Sequence, residues 1–422
     1  PTGENLAIKV APAHPACANT VYTAFVRQFG AARHAAPHTP RHAELAAPLL
    51  AQGYTVIPPS GTFRDLIGRL DTILGTMRFR ILQLLPVHPV PTTFARMGLY
   101  GSPFAARDLL DVDPALAAFD TRATPLDQFR ELADAVHARG ARLFLDIPAN
   151  HTGWASTLQT HHPDWFRRNA DGSFRSPGAW GVTWEDLVEL DYANRDLRAF
   201  MAGVFLFWCR QGVDGFRCDA GYMIPSATWA YITARIRGAF PETVFLLEGL
   251  GGKLATTDEI LSAANLDWAY AESFQLEDRA AFEHHFPAAA ALSAGTGPLI
   301  HFAETHDNDR LASRGERRAR LRTALAAMLP HQGAFGITAG VEWFAVEKID
   351  VHGAPSLNWD AANNQVAAVA RLNTLLAIHP AFGPGVAVTL VQTGPGNVLA
   401  ILRAPPGGAA PLLVLANLDC DR

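Results

Sequence analysis

Between residues 19 and 378, short apolar runs and longer amphipathic runs alternate, and the pair repeats eight times. The apolar runs, at 19–25, 79–87, 141–147, 215–219, 244–248, 268–274, 299–304 and 334–339, have the length of buried strands. The amphipathic runs at 63–74, 126–138, 198–209, 226–239, 257–264, 279–291, 317–328 and 361–378 carry helical spacing. Strands buried on both faces are normally parallel, and parallel neighbours are joined by crossover helices. Eight such units in succession predict an α/β fold, a closed (β/α)8 TIM barrel. A stretch rich in Trp, Pro, Gly and Asn, residues 152–191, reads as a short insertion after the third strand. Residues 30–60, rich in Ala, His and Pro, show no clear period and read as a long loop. His34, His38 and His42 lie there, and a solvated loop outweighs a metal site. Past residue 380 the texture changes to alternating strands at 386–392, 398–403 and 412–418. The expected organisation is a barrel over 1–380 and a partial C-terminal β domain over 381–422. Three strands are few for a sandwich, so the native chain is expected to continue beyond Arg422, and a start at Pro1 without Met is expected of a chain processed or cut from something longer.

Composition excludes several classes. A net charge of −5 in 422 residues favours neither nucleic acid nor an anionic membrane as a partner. No apolar run reaches the roughly 18 residues of a membrane-spanning helix. The four cysteines, Cys17, Cys209, Cys218 and Cys420, have no metal spacing and fit reduced thiols, hence a cytoplasmic setting.

The chemistry gathers at strand ends. In such barrels the active site lies at the C-terminal ends of the strands. The third strand ends in Asp146-Ile147-Pro148-Ala149-Asn150-His151, the fourth in Arg217-Cys218-Asp219, the fifth in Glu248-Gly249, and the seventh in Glu304-Thr305-His306-Asp307. Arg217 and Asp219, two apart, share a strand face, and a charged pair there is costly to bury unless matched. A structural ion pair would explain those two alone. Carboxylates and histidines from four strands on one rim point further, to glycosidic bond cleavage with retention. That reaction needs two carboxyl groups about 5–5.5 Å apart, one a nucleophile and one an acid, then base. Neighbouring strands lie about 4.8 Å apart, so the ends of strands four and five can meet this. Asp219, held ionised by Arg217, suits the nucleophile. Glu248, after Phe245-Leu246-Leu247, sits where an apolar setting raises its pKa toward that of a working acid. Asp307, with His306 and His151, would bond sugar hydroxyls.

At these residues the sequence resembles the α-amylase superfamily, family 13 of the glycoside hydrolases. The segments DIPANH, GFRCDA, LLEG and THDN resemble its four ordered blocks, and residues 185–192 resemble the block closing the insertion. The resemblance implies Asp219 as nucleophile, Glu248 as acid/base and Asp307 as transition-state stabiliser. It implies that Arg217, Asp146, His151 and His306 line the sugar subsite. Tyr100 stands where the family often stacks an aromatic on that sugar; a core tyrosine is the other reading. No cofactor is implied beyond calcium at Asn150, for which the insertion has no evident acid cluster. Where many amylases carry Lys-His after the nucleophile, this chain has Gly221 and Tyr222, so acceptor binding must differ. Trp154, Trp165, Trp180 and Trp184 crowd the insertion and would stack on glucose rings or serve the core. In texture the chain is closest to bacterial glycogen-debranching proteins, which would imply 4-α-glucanotransferase or debranching work on glycogen and malto-oligosaccharides. Endo-hydrolysis of α-1,4-glucans, a catalytically inactive binding barrel, and a metal hydrolase using Asp146, His151 and His306 are the alternatives.

Overall fold

A computed structural model describes residues 19–30, 40–54, 56–92, 95–331, 334–394 and 396–419. Eight parallel strands close into a barrel: Thr20–Ala24, Ile81–Leu84, Arg142–Ile147, Gly215–Cys218, Val244–Leu247, Trp268–Tyr270, Leu299–Phe302 and Phe335–Thr338. Each lies beside its sequence neighbour, and the eighth returns to the first through Thr20 opposite Phe335. Side chains alternate across the wall. Outward ones, such as Phe216 and Phe245, meet Phe205 of the surrounding helices, which in turn packs on Trp229. Inward ones, including Val21, Ile81, Phe144, Leu246, Trp268 and Phe302, fill the barrel. Two glycines make that filling possible. A Cβ on Gly215 would stand 2.5 Å from the Phe144 ring, and one on Gly336 would stand 2.4 Å from the Phe302 ring.

Toward the strands' C-terminal ends the interior turns polar. Gln83 Nε2 donates to the Tyr270 hydroxyl (3.1 Å), and Asp146 lies in register with Arg217 across strands three and four. The opposite end is tied by carboxylates that accept strand amides. Asp214 takes the Leu143 N–H (2.7 Å), and Asp267 takes the Phe245 N–H (2.8 Å) and the Arg237 guanidinium (2.6 Å). The charges buried inside the barrel at the cleft end, Asp146 and Arg217, are paired with each other.

The expected loop over 30–60 is corrected in part: Pro40–Ala51 is a helix. Its alanines and leucines favour helix, while the prolines and histidines around it hide the period. His34 and His38 fall outside the described residues, as does the side chain of His42. The run at 63–74 splits into Phe63–Ile67, with a Thr62–Asp65 capping box, and a π-helical turn at Asp71–Thr76. The sixth strand stops at Tyr270, and the last barrel helix begins at Val366. In the insertion, His151–Gly153 pairs antiparallel with Leu187–Glu189, and Gly178–Ala179 with Val182–Thr183 forms a small hairpin.

After the barrel, Ala387–Val391, Val398–Ala404 and Leu412–Asn417 form an antiparallel sheet. Leu399, Ile401 and Ala416 on one face pack on Phe282, Phe286 and Leu325 of two barrel helices. Arg403, fully buried, donates to the carbonyls of Ala381, Met328 and Pro330 and ties the sheet to the barrel. Among the described residues no helix is long and apolar enough to cross a membrane. Cys209 and Cys218 are buried free thiols, and Cys17 and Cys420 lie outside the described residues.

Candidate active site

The strand ends open into a cleft of about 790 Å³. Arg217 anchors its floor. The Nη1 group donates to Asp146 Oδ2 at 2.6 Å and to Asp219 Oδ1 at 2.8 Å. Burial alone would drain charge from this guanidinium, but Asp146, Tyr270, Asp219 and Glu248 together hold its pKa well above the ordinary value. The guanidinium beneath Asp219 pairs with that carboxylate and aims it. Asp146 is fully buried below the cleft and faces it only through Arg217.

Asp219 Oδ2 is the oxygen left for chemistry, with His151 Nε2 3.7 Å away. His151 is buried, its ring edge-on to Trp184, and burial lowers its pKa so that the ring is neutral near pH 7. Neither of its ring nitrogens has a hydrogen-bond partner among the described residues. An unsatisfied buried polar group is expensive, and a sugar hydroxyl in the cleft would satisfy it.

Glu248 reaches the same cleft from the fifth strand. Its Oε2 accepts the Ala220 N–H (2.9 Å) and its Oε1 accepts the Leu250 N–H (2.9 Å). Ala220 adopts the left-handed conformation, φ +46°, and this turn brings its amide to Glu248. The acid is thus bonded to the residue that follows Asp219. Burial pushes the Glu248 pKa up to about 7; Arg217 opposes the rise, Asp219 adds to it, the Leu250 amide opposes it and Asp307 adds to it. A carboxyl poised there suits proton transfer near neutrality.

The loop after the seventh strand presents Asp307. Buried Glu304 holds it in place by pairing with Arg310 (2.8 Å) and accepting the Leu311 N–H (2.6 Å). Asp307 itself is 59% exposed, 3.4 Å from His306 Nε2. The buried His306 ring stacks on Phe104 (5.4 Å, 10°), and burial lowers its pKa.

Of the eight site residues read from the sequence, Asp219, Glu248, Asp307, Arg217, His151 and His306 line the cleft together. Asp146 supports it from beneath. Tyr100 lies elsewhere: it is buried against the Arg27 guanidinium (5.5 Å), outside the cleft lining. The aromatic that faces the site from this loop is Phe104, also 5.9 Å from the Arg217 guanidinium. No periodicity marks it; the available signal was an aromatic after Ser102-Pro103 in a loop at the rim. The tryptophans divide. Trp180 and Trp184 line the cleft. Trp154 donates to the Glu185 carbonyl and packs on Phe174, and Trp165 is buried against His162. Asp186, with His352 Nε2 at 3.6 Å, joins the insertion to the loop after strand eight, a link the sequence did not reveal. The Asn150 amide donates to Met223 Sδ. Among the described residues no group of three or more His, Cys, Asp or Glu is gathered as for a metal ion.

Residues 119–243 match the family model described as alpha amylase, catalytic domain. An alpha-1,4-glucan:maltose-1-phosphate maltosyltransferase of Burkholderia pseudomallei is 34% identical over 244 residues, 53% of this chain and 21% of that protein. A protein of the same description from Methylacidiphilum infernorum is 24% identical over 403 residues, 85% of this chain and 56% of its own length. The chain thus spans only part of these relatives. Among solved structures, an alpha-amylase from Lactobacillus plantarum superposes with a TM-score of 0.75 at 23% identity, covering 96% of this chain and 89% of that one. That likeness speaks for the fold. The relatives' names carry glycosyl transfer, and none of these names carries debranching.

Proposed function

We propose, from a chain that carries the catalytic barrel of the α-amylase family, glycoside hydrolase family 13, that it is an α-glucan-active transglycosidase working through a covalent glycosyl-Asp219 intermediate. The observation that carries this is the link from Glu248 Oε2 to the Ala220 amide, which ties the Glu248 carboxyl to the turn that follows Asp219, so that both carboxyls line one cleft. In the first step Asp219 Oδ2 attacks the anomeric carbon, the glycosidic C–O bond breaks, and Glu248 gives its proton to the departing oxygen. In the second, Glu248 takes a proton from an acceptor hydroxyl, whose oxygen displaces Asp219. His151, His306 and Asp307 hold ring hydroxyls, and their bonds tighten as positive charge grows on the ring. Phe104 offers a face to the same sugar.

The relatives' names suggest transfer to an α-1,4-glucan as the reaction class. The donor here is read as a neutral glucan, because each arginine lining the cleft already holds a carboxylate. Arg217 pairs with Asp146 and Asp219, Arg310 with Glu304, and Arg314 and Arg318 with Glu277. A 4-α-glucanotransferase acting on glycogen or malto-oligosaccharides, with debranching as a variant, fits best. The product profile from maltoheptaose and from a branched dextrin tests it. Oligosaccharides longer than the substrate support transfer, shorter products alone would mean endo-hydrolysis, and no products from either would refute the reading.

A further inference from the structure

The side of the cleft beyond Glu248 has a construction of its own. The hairpin Gly178–Ala179/Val182–Thr183 turns through Trp180 (φ +54°) and Gly181 (φ +78°). Two successive positive φ values make a tight hairpin turn, which glycine or asparagine usually occupies at its first position. Here a tryptophan, 68% exposed, accepts that conformation on the cleft wall. A large aromatic in a disfavoured backbone conformation, not withdrawn into a core, is expensive unless it meets a ligand. The indole rests on the loop that follows the fifth strand. A Cβ on Gly251 (φ +74°) would stand 2.1 Å from Trp180 Nε1, so the absence of a side chain there makes the seat. A Cβ on the adjoining Gly252 would stand 3.7 Å from the Tyr222 side chain, which also lines the cleft. Its hydroxyl is pushed up to about 12 by burial, then by Glu248 and Asp219, and is a neutral donor at working pH.

Glu248 protonates the leaving oxygen in the proposed reaction, so the loop directly after it borders the departing and incoming sugars. We infer that Trp180, seated on Gly251, and Tyr222 form an acceptor subsite that binds a neutral glucan by stacking on one sugar ring, with the Tyr222 hydroxyl as a hydrogen-bond donor. No lysine lines the cleft among the described residues, and its arginines are paired as above. An apolar ring face fits the C–H face of a pyranose and offers nothing to a phosphate. The inference rests on the glucan reading, and it names the residues that govern transfer against hydrolysis.

The test uses maltoheptaose as donor and maltose as acceptor, with Trp180→Ala, Trp180→Phe and Gly251→Ala. Trp180→Ala should raise the acceptor KM about tenfold and lower the ratio of transfer to hydrolysis by a similar factor. Trp180→Phe should recover most of both. Gly251→Ala, whose methyl would unseat the indole, should act like Trp180→Ala. An unchanged acceptor KM and product ratio in Trp180→Ala would overturn the inference while leaving the glucan reading intact. Calorimetry of maltoheptaose on Asp219→Asn, with and without Trp180→Ala, reads the subsite without turnover. About tenfold weaker binding in the double variant supports the subsite, and equal binding overturns it. If Asp219→Asn and the wild-type chain both fail to bind maltoheptaose, the glucan reading and the subsite fall together.

Discussion

Raising the pH should switch this site off through one proton. Burial holds the Glu248 pKa at about 7 against an ordinary 4.5. At about 1.36 kcal/mol per pH unit, that gap is worth about 3 kcal/mol. Two consequences follow. In the proposed reaction Glu248 must carry its proton to release the leaving group, so kcat/KM on maltoheptaose should fall with a midpoint near pH 7. By pH 9 it should lie about a hundredfold below its acidic plateau, since only about 1% of the enzyme then holds the proton. In stability, the folded state binds this proton more tightly than the unfolded chain does. The contribution is fully present below pH 4.5 and is lost as pH rises through 7. Glu248→Gln removes the titration. Its amide cannot accept from both the Ala220 and Leu250 N–H groups, which costs about 1 kcal/mol. The variant should therefore be more stable than wild type by about 2 kcal/mol at pH 8.5 and slightly less stable at pH 4. Urea unfolding at the two pH values, beside a pH–rate profile of the wild type, measures both. A profile flat to pH 9, or a basic limb centred near 4.5, would refute the argument, as would a Glu248→Gln stability difference that does not change with pH.

Asp219→Asn should abolish turnover while leaving the far-ultraviolet circular dichroism and melting profile of the barrel in place; near-full activity on any α-glucan would unseat Asp219. Ala220→Val asks a β-branched residue to adopt φ +46°, and should cost about 1–3 kcal/mol of stability and disturb the amide held by Glu248; retained kcat with unchanged unfolding would contradict the account of that turn. Gly215→Ala brings a methyl 2.5 Å from the Phe144 ring inside the barrel, and should lower stability by about 1–3 kcal/mol in chemical denaturation. Phe104→Ala removes the ring stacked on His306 and should raise the donor KM by about tenfold; a KM within twofold of wild type would argue against a sugar on that face.

The eightfold alternation and the carboxylates at strand ends were legible because both are periodic or local. Strand length, side-chain alternation and the position of a charge after an apolar run are properties of a few consecutive residues, so Asp219, Glu248 and Asp307 could be placed on a common rim before any coordinates. The helix at Pro40–Ala51 was hidden because prolines and histidines blur its period, and the split at Asp71–Thr76 because a π-turn keeps an amphipathic appearance. Tyr100 and Phe104 are four residues apart in a loop without regular structure. Which of them turns to the cleft depends on contacts with Arg27 and His306, 73 residues behind and 202 ahead along the chain.

Local pattern thus named the acids and the barrel that carries them. It could not supply their surroundings: the burial that lifts Glu248, the Ala220 amide that couples it to the turn after Asp219, and the glycine seat beneath Trp180. Those depend on groups far apart in the chain meeting at van der Waals distance, and pKa, shape and exposure are properties of that meeting and not of any residue's own chemistry.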